Sequence, residues 1–250
     1  VNISATSSGS PELSLGNIFG SNIANLGLVL GVAIAIKGFR VESQIMQREI
    51  PLLLMITAIA LVVALDGVLR GSAPSLDRAD AIILLLLFLM FVYIHMTDML
   101  EGRAEDPLLE QASGRAPSTF RARHVTFVAI GIPGLWLGGD MTVDAATKLA
   151  LGFGISETLI GLSVVAIGTS LPELVTSIAA AMRGESDLAL GNVIGSNLVN
   201  TLFILPVSAL IVPLPIGPGP LIDIWTCLLF TVVMGIFALS ARQRFSRVEG

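Results

Sequence analysis

Residues Glu12–Ile36 (ELSLGNIFGSNIANLGLVLGVAIAI) and Asp187–Ile211 (DLALGNVIGSNLVNTLFILPVSALI) are two copies of one segment. They align without a gap at an offset of 175 residues, and 11 of the 25 positions are identical. The identities include Gly16/Gly191, Asn17/Asn192, Gly20/Gly195, Ser21/Ser196, Asn22/Asn197 and Asn25/Asn200. Apolar helices share Leu and Val by chance. They do not share G-N-x-x-G-S-N-x-x-N by chance, so the chain must fold as two related halves.

Both halves read as membrane-embedded. The chain is 54% hydrophobic and 13% charged, with mean hydropathy +0.85, whereas a soluble domain carries about 25% charged residues. Ile50–Leu65, Val125–Gly139 and Thr158–Pro172 contain no charge, and in Ala81–Thr97 only His95 could carry one at neutral pH. Buried helices of a soluble bundle would show a polar stripe. These runs show none, and each approaches the roughly 20 apolar residues that cross a bilayer. The lone Cys227 excludes an intrachain disulfide and reads as a small packing residue. The net charge of −5 is less informative than its distribution.

Seven membrane segments are expected, near 14–36, 49–66, 79–100, 124–149, 155–182, 187–212 and 220–241, in an all-α transporter bundle. The polar stretch Glu101–Arg123, with Pro107, Gly114 and Pro117, is the linker between a first repeat (1–100) and a second (124–250). Five segments separate the starts of the two copies. Five is odd, so the copies enter the bilayer from opposite faces, the inverted-repeat plan of many secondary transporters. Lys37, Arg40, Arg48, Arg103, Arg115, Arg121, Arg123, Arg183, Arg242, Arg244 and Arg247 fall on one face, and Arg70, Arg78 and Lys148 on the other. The positive-inside rule puts the first face, with the 101–123 loop and the C-terminus, in the cytoplasm and the residue 1 side outside. The repeat also leads us to expect a further helix before Val1 and another after Gly250, giving a ten-helix parent that this chain would need for transport.

Glu173 is the only acid in the middle of a membrane segment, where a charge costs at least ~2.5 kcal/mol. No Lys or Arg lies between Lys148 and Arg183 to pair with it. The alternatives are a cation site and a hydrogen-bonded buried acid. Its neighbours favour the former. Pro172 lacks an N–H and clashes with the carbonyl of Gly168, so the helix should break there and turn carbonyls toward a cavity. Thr169 and Ser170 add hydroxyls one turn before Glu173, and Ala166 offers a carbonyl two turns before it. Ser196 and Asn200, at i and i+4, share a helix face, as do Ser21 and Asn25. Both pairs suit either oxygen ligation or interhelical hydrogen bonding. Gly16, Gly20, Gly191 and Gly195 are read as packing glycines. Asn17, Asn22, Asn192 and Asn197 are placed on other faces than the Ser/Asn pairs. Glu157 reads as a helix-start residue, while Asp66, Asp98, Asp140, Asp144, His95 and His124 lie toward segment ends. Oxygen-only donors select hard cations such as Ca²⁺ or Na⁺ over zinc or copper.

At GTSLPEL (Gly168–Leu174) and the paired GNxxGSNxxN motifs, the chain resembles the cation/calcium antiporter superfamily. It looks most like the prokaryotic branch of the sodium/calcium exchanger family. The resemblance covers nearly the whole chain. It implies ten helices, two inverted α-repeats, and ion sites formed by Glu173 with Thr169, Ser170 and Ala166, completed by Ser196, Asn200, Ser21 and Asn25. Two features depart from the pattern. No first-repeat GTSxPE lies in this sequence, and both Asn25 and Asn200 are amides where many exchangers have Asp at one of the two.

The function expected is Ca²⁺ for Na⁺ antiport by alternating access, with H⁺-coupled or other cation exchange and a non-transporting membrane scaffold as alternatives. An enzyme is not expected, because no mid-membrane His or nucleophile elbow supplies a base. The expected partners are the lipid bilayer of a bacterial or archaeal inner membrane and the transported Ca²⁺ and Na⁺, with no cofactor and no nucleic acid.

Overall fold

The computed structural model describes residues 11–40, 45–69, 71–105, 126–131, 168–240 and 244–245, together with scattered positions between 133 and 153. Helix α1 (Pro11–Ala24) runs through a π-helical turn, π1 (Asn25–Val29), into α2 (Leu30–Ile36). Strand β1 (Phe39–Arg40) leads to π2 (Ile45–Glu49), α3 (Ile50–Ala64) and the single turn α4 (Asp66–Leu69). Strand β2 (Ser75–Leu76) precedes the long α5 (Arg78–Glu105). The second half contains α6 (Leu171–Arg183), α7 (Ser186–Val199), π3 (Asn200–Ile204), α8 (Leu205–Ile211), β3 (Leu214–Pro215), α9 (Pro218–Ser240) and β4 (Arg244–Phe245).

The 175-residue offset carries one half onto the other element by element. It takes α1 to α7, π1 to π3, α2 to α8 and β1 to β3. Both π turns open on an asparagine and close the same wide ring: Leu30 N–H donates to Asn25 O, and Leu205 N–H to Asn200 O. Leu15, Ile18 and Phe19 are fully buried, and so are their counterparts Leu190, Val193 and Ile194. Both halves therefore contribute matching residues to one packed core, in which α9 lies against α1 and α3, and α6 against α7.

Contacts at the helix ends establish the inversion. A Cβ at Gly184, just past α6, would stand 3.0 Å from Lys37 Nζ, just past α2. Thus the α1–α2 rod ends on the face where α7 begins, and the two copies run in opposite directions. Strand β1 pairs antiparallel with β4, and Arg48 donates to Asp98 at 2.9 Å, on this same basic face. Strand β2 pairs with β3 on the other, and Ile216 N–H donates to Pro74 O beside it. Each ladder takes one strand from each half, so the halves are stitched together at both membrane surfaces. These two-residue ladders are the departure from an all-α plan.

Among the described residues, five helices are long and apolar enough to cross a membrane: Ser14–Ile36, Ile45–Ala64, Arg78–Asp98, Ser186–Ile211 and Pro218–Ala238. Only 17% of the apolar window in Arg78–Asp98 is buried within the protein. An apolar helix so exposed needs lipid as its solvent. The expected segment 124–149 is described at 126–131 and at scattered positions up to 148, all of them helical, and 155–182 is described from Gly168 onward. The second span starts at Ile45 because π2 extends α3 backward, and α5 continues to Glu105, into the predicted linker. Its start is fixed by a reciprocal cap. Asp77 Oδ1 accepts from the N–H groups of Ala79 and Asp80, and Asp80 Oδ2 accepts from Asp77 N–H,. At the other boundary type, Gly184 (φ +82°) ends α6 in the left-handed region that glycine enters without penalty,.

Candidate cation site

The GTSLPE segment is helical at Gly168 and Thr169, breaks at Ser170 (φ −95°, ψ 2°), and restarts as α6 at Leu171. Pro172 stands in the first turn of α6, where a missing N–H costs little. The carbonyl of Gly168 loses the donor that an uninterrupted helix would bring. The break expected from Pro172 is therefore present. Ser170 has the N-cap position, yet its hydroxyl caps nothing. Glu173 lies in the same first turn, where the N–H ends of a helix favour negative charge.

This broken helix faces the crossing of the two repeats. Thr169, Ser170 and Glu173 line one cavity of about 150 Å³ with Ser21, Asn25 and Asn200. Six of the residues singled out in the sequence thus come together from the broken helix, the α1–π1 rod and π3. Ser196, on α7, stands near the Glu173 carboxylate. Ala166 lies outside the described residues, as do Glu157, His124, Asp140 and Asp144. His95 sits near the basic face, 3.8 Å from Glu49, away from the cavity.

Three oxygens on the cavity wall are buried without a hydrogen-bond partner among the described residues: Asn25 Oδ1, Ser170 Oγ and Glu173 Oε2. Leaving one such atom unsatisfied costs about 1–3 kcal/mol, so three around one space mark a place built to receive a positive partner. The donors are hydroxyl, amide and carboxylate oxygens, the set that suits hard cations of the Na⁺ or Ca²⁺ type. Glu173 supplies the single carboxylate among the described residues lining the cavity.

The asparagines placed on other faces correct the sequence reading. Asn17 lines the cavity too, because Asn17, Ser21 and Asn25 follow one another at i, i+4 and i+8 on one face. That spacing was the available signal. Thr169 Oγ1 donates to Asn17 Oδ1 at 3.3 Å, and Ser21 Oγ lies 2.9 Å from Thr169 Oγ1. Asn192, the counterpart of Asn17, instead holds the Glu173 helix from behind. Its Nδ2 reaches Thr176 Oγ1 (2.9 Å), Ser177 Oγ (3.0 Å) and the Glu173 carbonyl (3.3 Å). Asn22 and Asn197 tie the repeats together. Asn25 Nδ2 donates to Asn197 Oδ1 and, in the mirrored arrangement, Asn200 Nδ2 donates to Asn22 Oδ1, both at 2.9 Å. No sequence signal identifies these partners, since each bond spans more than 170 residues. The packing role assigned to Gly191 and Gly195 has no support here: among the described residues, nothing lies within 4 Å of a Cβ built at either.

The sequence profile of the family described as Sodium/calcium exchanger protein matches residues 1–97 and 123–250. The inner membrane protein YrbG of Escherichia coli K12 is 39% identical over 212 residues, 83% of this chain and 62% of YrbG. The putative antiporter CaxA of Alkalimonas amylolytica is 34% identical over 254 residues, 99% of this chain and 77% of CaxA. Among solved structures, the sodium-calcium exchanger NCX_Mj, soaked with Na⁺ and Ca²⁺, superposes with a TM-score of 0.78 at 28% identity, over 99% of this chain and 75% of NCX_Mj. The chain thus spans less than two thirds of YrbG and about three quarters of the other two.

Proposed function

Because this chain belongs to the sodium/calcium exchanger family, we propose that it exchanges Ca²⁺ for Na⁺ across a membrane as a secondary antiporter, with Glu173 as the principal ion ligand. The observation that carries this reading is the cavity at the crossing of two inverted repeats, where a carboxylate, an amide and a hydroxyl oxygen lie buried without partners among the described residues. Thr169, Ser170, Ser21, Asn25, Asn200, Ser196 and Asn17 complete the set, and Ala166 adds a backbone carbonyl.

One carboxylate shared between two cation types makes their binding mutually exclusive. The Glu173 oxygens accept either a divalent ion or monovalent ions, so loading one species displaces the other. The inverted halves supply alternating access. Each presents the same α–π–α rod in the opposite direction, so rocking one against the other opens the cavity first to one side and then to the other. Exchange, rather than leak, follows if the halves rock only when the unpaired oxygens hold a cation.

The protein is placed in the inner (plasma) membrane of a bacterium or archaeon. Its basic face, which includes Lys37, Arg40, Arg183 and Arg244, is cytoplasmic, and the residue 1 side is outside. Residues 1–100 and 124–250 form the two repeats, and 101–123 link them. The partners are lipid and the transported cations, which are substrates rather than resident cofactors.

The experiment is radiolabelled Ca²⁺ uptake into vesicles containing the full-length protein. An outward Na⁺ gradient should drive uptake, and uptake indifferent to that gradient overturns the reading. A second reading, H⁺-coupled exchange, is favoured by the amides at Asn25 and Asn200, which leave a lone carboxylate to carry a proton. In that case an outward H⁺ gradient replaces the Na⁺ gradient as the driving force.

A further inference from the structure

The two mirrored asparagine pairs end differently. Asn197 Nδ2 donates to the backbone carbonyl of Asn22 at 3.2 Å. A carbonyl only accepts, so the Asn197 amide can lie in one orientation alone. Its Oδ1 then faces Asn25, and Asn25 must turn its Nδ2 toward it, at 2.9 Å. The remaining atom of the Asn25 amide, Oδ1, is thereby turned away from Asn197 and left, on a residue that lines the cavity, buried and without a partner among the described residues. Both side chains are buried, Asn25 at 1% and Asn197 at 0% exposure.

The other pair is anchored on a hydroxyl. Asn200 Nδ2 donates to Asn22 Oδ1, and Asn22 Nδ2 donates to Thr201 Oγ1 at 3.0 Å. A hydroxyl both donates and accepts. If Asn22 turns its amide over, Thr201 donates to it instead, and Asn22 Nδ2 then points at position 200. This chain of bonds has no fixed direction.

Resting on the cation-site reading above, we propose that Asn197 is a positioning residue that locks Asn25 as an oxygen ligand, so that position 25 is confined to an amide while position 200 accepts a carboxylate. A carboxylate at 25 would face Asn197 Oδ1, acceptor against acceptor, with no inversion available. A carboxylate at 200 would be met by Asn22 Nδ2 after inversion. The two-fold site is thus chemically one-sided, and the side that can take a second negative charge is set by what stands behind each ligand.

The test compares Ca²⁺ affinity of the full-length protein, by radiolabelled Ca²⁺ binding, in Asn25→Asp and Asn200→Asp. Ligand charge tunes calcium sites over orders of magnitude. Asn200→Asp should tighten Ca²⁺ binding at least roughly tenfold more than Asn25→Asp. Equal gains, or a larger gain at 25, overturn the proposal. The second arm is Asn197→Ala, or Asn197→Leu, which keeps the branched shape, if Ala does not fold. In the parent protein it should weaken Ca²⁺ binding about 10- to 100-fold, the range seen when a ligand's supporting hydrogen bond is removed. In the Asn25→Asp background it should strengthen binding, because the opposed acceptor is gone. A merely structural role predicts the same loss in both backgrounds. Glu173→Gln run alongside separates the two claims. If it leaves Ca²⁺ affinity intact, the cation-site reading itself fails. If it abolishes binding while Asn197→Ala acts equally in both backgrounds, only the positioning claim fails.

Discussion

Thr169 and Ser21 stand 148 residues apart in the chain and 2.9 Å apart in space, hydroxyl to hydroxyl. Either hydroxyl can donate in this contact, and Thr169 Oγ1 also stands 3.3 Å from Asn17 Oδ1. The pair joins the broken helix of the second repeat to the α1 rod of the first, at the lip of the cavity. Thr169→Val and Ser21→Ala should each lower stability, and the double variant should cost less than the two losses added. A coupling of about 0.5–1.5 kcal/mol is expected for such a bond. Thermal unfolding of the four proteins in detergent measures it, and additivity within about 0.3 kcal/mol would show that the contact does not hold the repeats together.

Glu173 supplies the single carboxylate among the described residues lining the cavity. Glu173→Gln keeps its shape and removes the charge. Ca²⁺ affinity should fall by about two orders of magnitude, within the range over which ligand charge tunes calcium sites, while the melting temperature holds or rises. Glu173→Asp, one methylene short, should fall between. Isothermal calorimetry reads the affinity, and wild-type binding by the Gln variant would remove Glu173 from the site.

Two glycines differ in what stands before them. A Cβ at Gly67 would come within 2.5 Å of the Ala73 carbonyl, a backbone atom, whereas one at Gly27 would come within 2.7 Å of Phe230 Cε1, the edge of a side chain. Overpacking costs about 1–3 kcal/mol. Gly67→Ala should sit at the upper end and resist rescue. Gly27→Ala should cost less and be recovered by Phe230→Leu. Melting temperatures of the three variants check the order, and a larger loss at Gly27 would reverse the argument.

The cap of α5 is separable from the ion site. Asp77→Ala removes the acceptor for the N–H groups of Ala79 and Asp80. A loss of about 1 kcal/mol in stability is expected, with Ca²⁺ affinity unchanged. Asp77→Ser should restore most of it. A change in affinity as large as that of Glu173→Gln would mean that this end of the helix communicates with the cavity.

Much of the architecture was legible because the repeat is literal. Matching letters at a fixed offset imposed matching helices, and an odd number of intervening spans imposed their opposite directions. Pro172 located the helix break, since the lack of an N–H is a covalent fact that no environment repairs. The π turns were not legible. Asn25-Leu-Gly-Leu-Val29 and Asn200-Thr-Leu-Phe-Ile204 share few letters, and a π turn depends on how the surrounding helices pack. The two ladders escaped notice for a related reason: two residues carry no periodicity. Asn17 was misplaced although its spacing to Ser21 and Asn25 was readable.

The sequence by itself determined that this chain lies in a membrane, that it is built twice in opposite directions, and that one carboxylate in an apolar setting has hydroxyls beside it. Composition, repetition and proline chemistry act locally, so one dimension records them. Only the tertiary structure decided which oxygens point at the cavity and which are consumed in holding the halves together. Asn22, Asn25, Asn197 and Asn200 are chemically identical side chains. Their roles diverge because a backbone carbonyl stands at the end of one hydrogen-bond chain and a hydroxyl at the end of the other, and that difference arises only when the two halves cross.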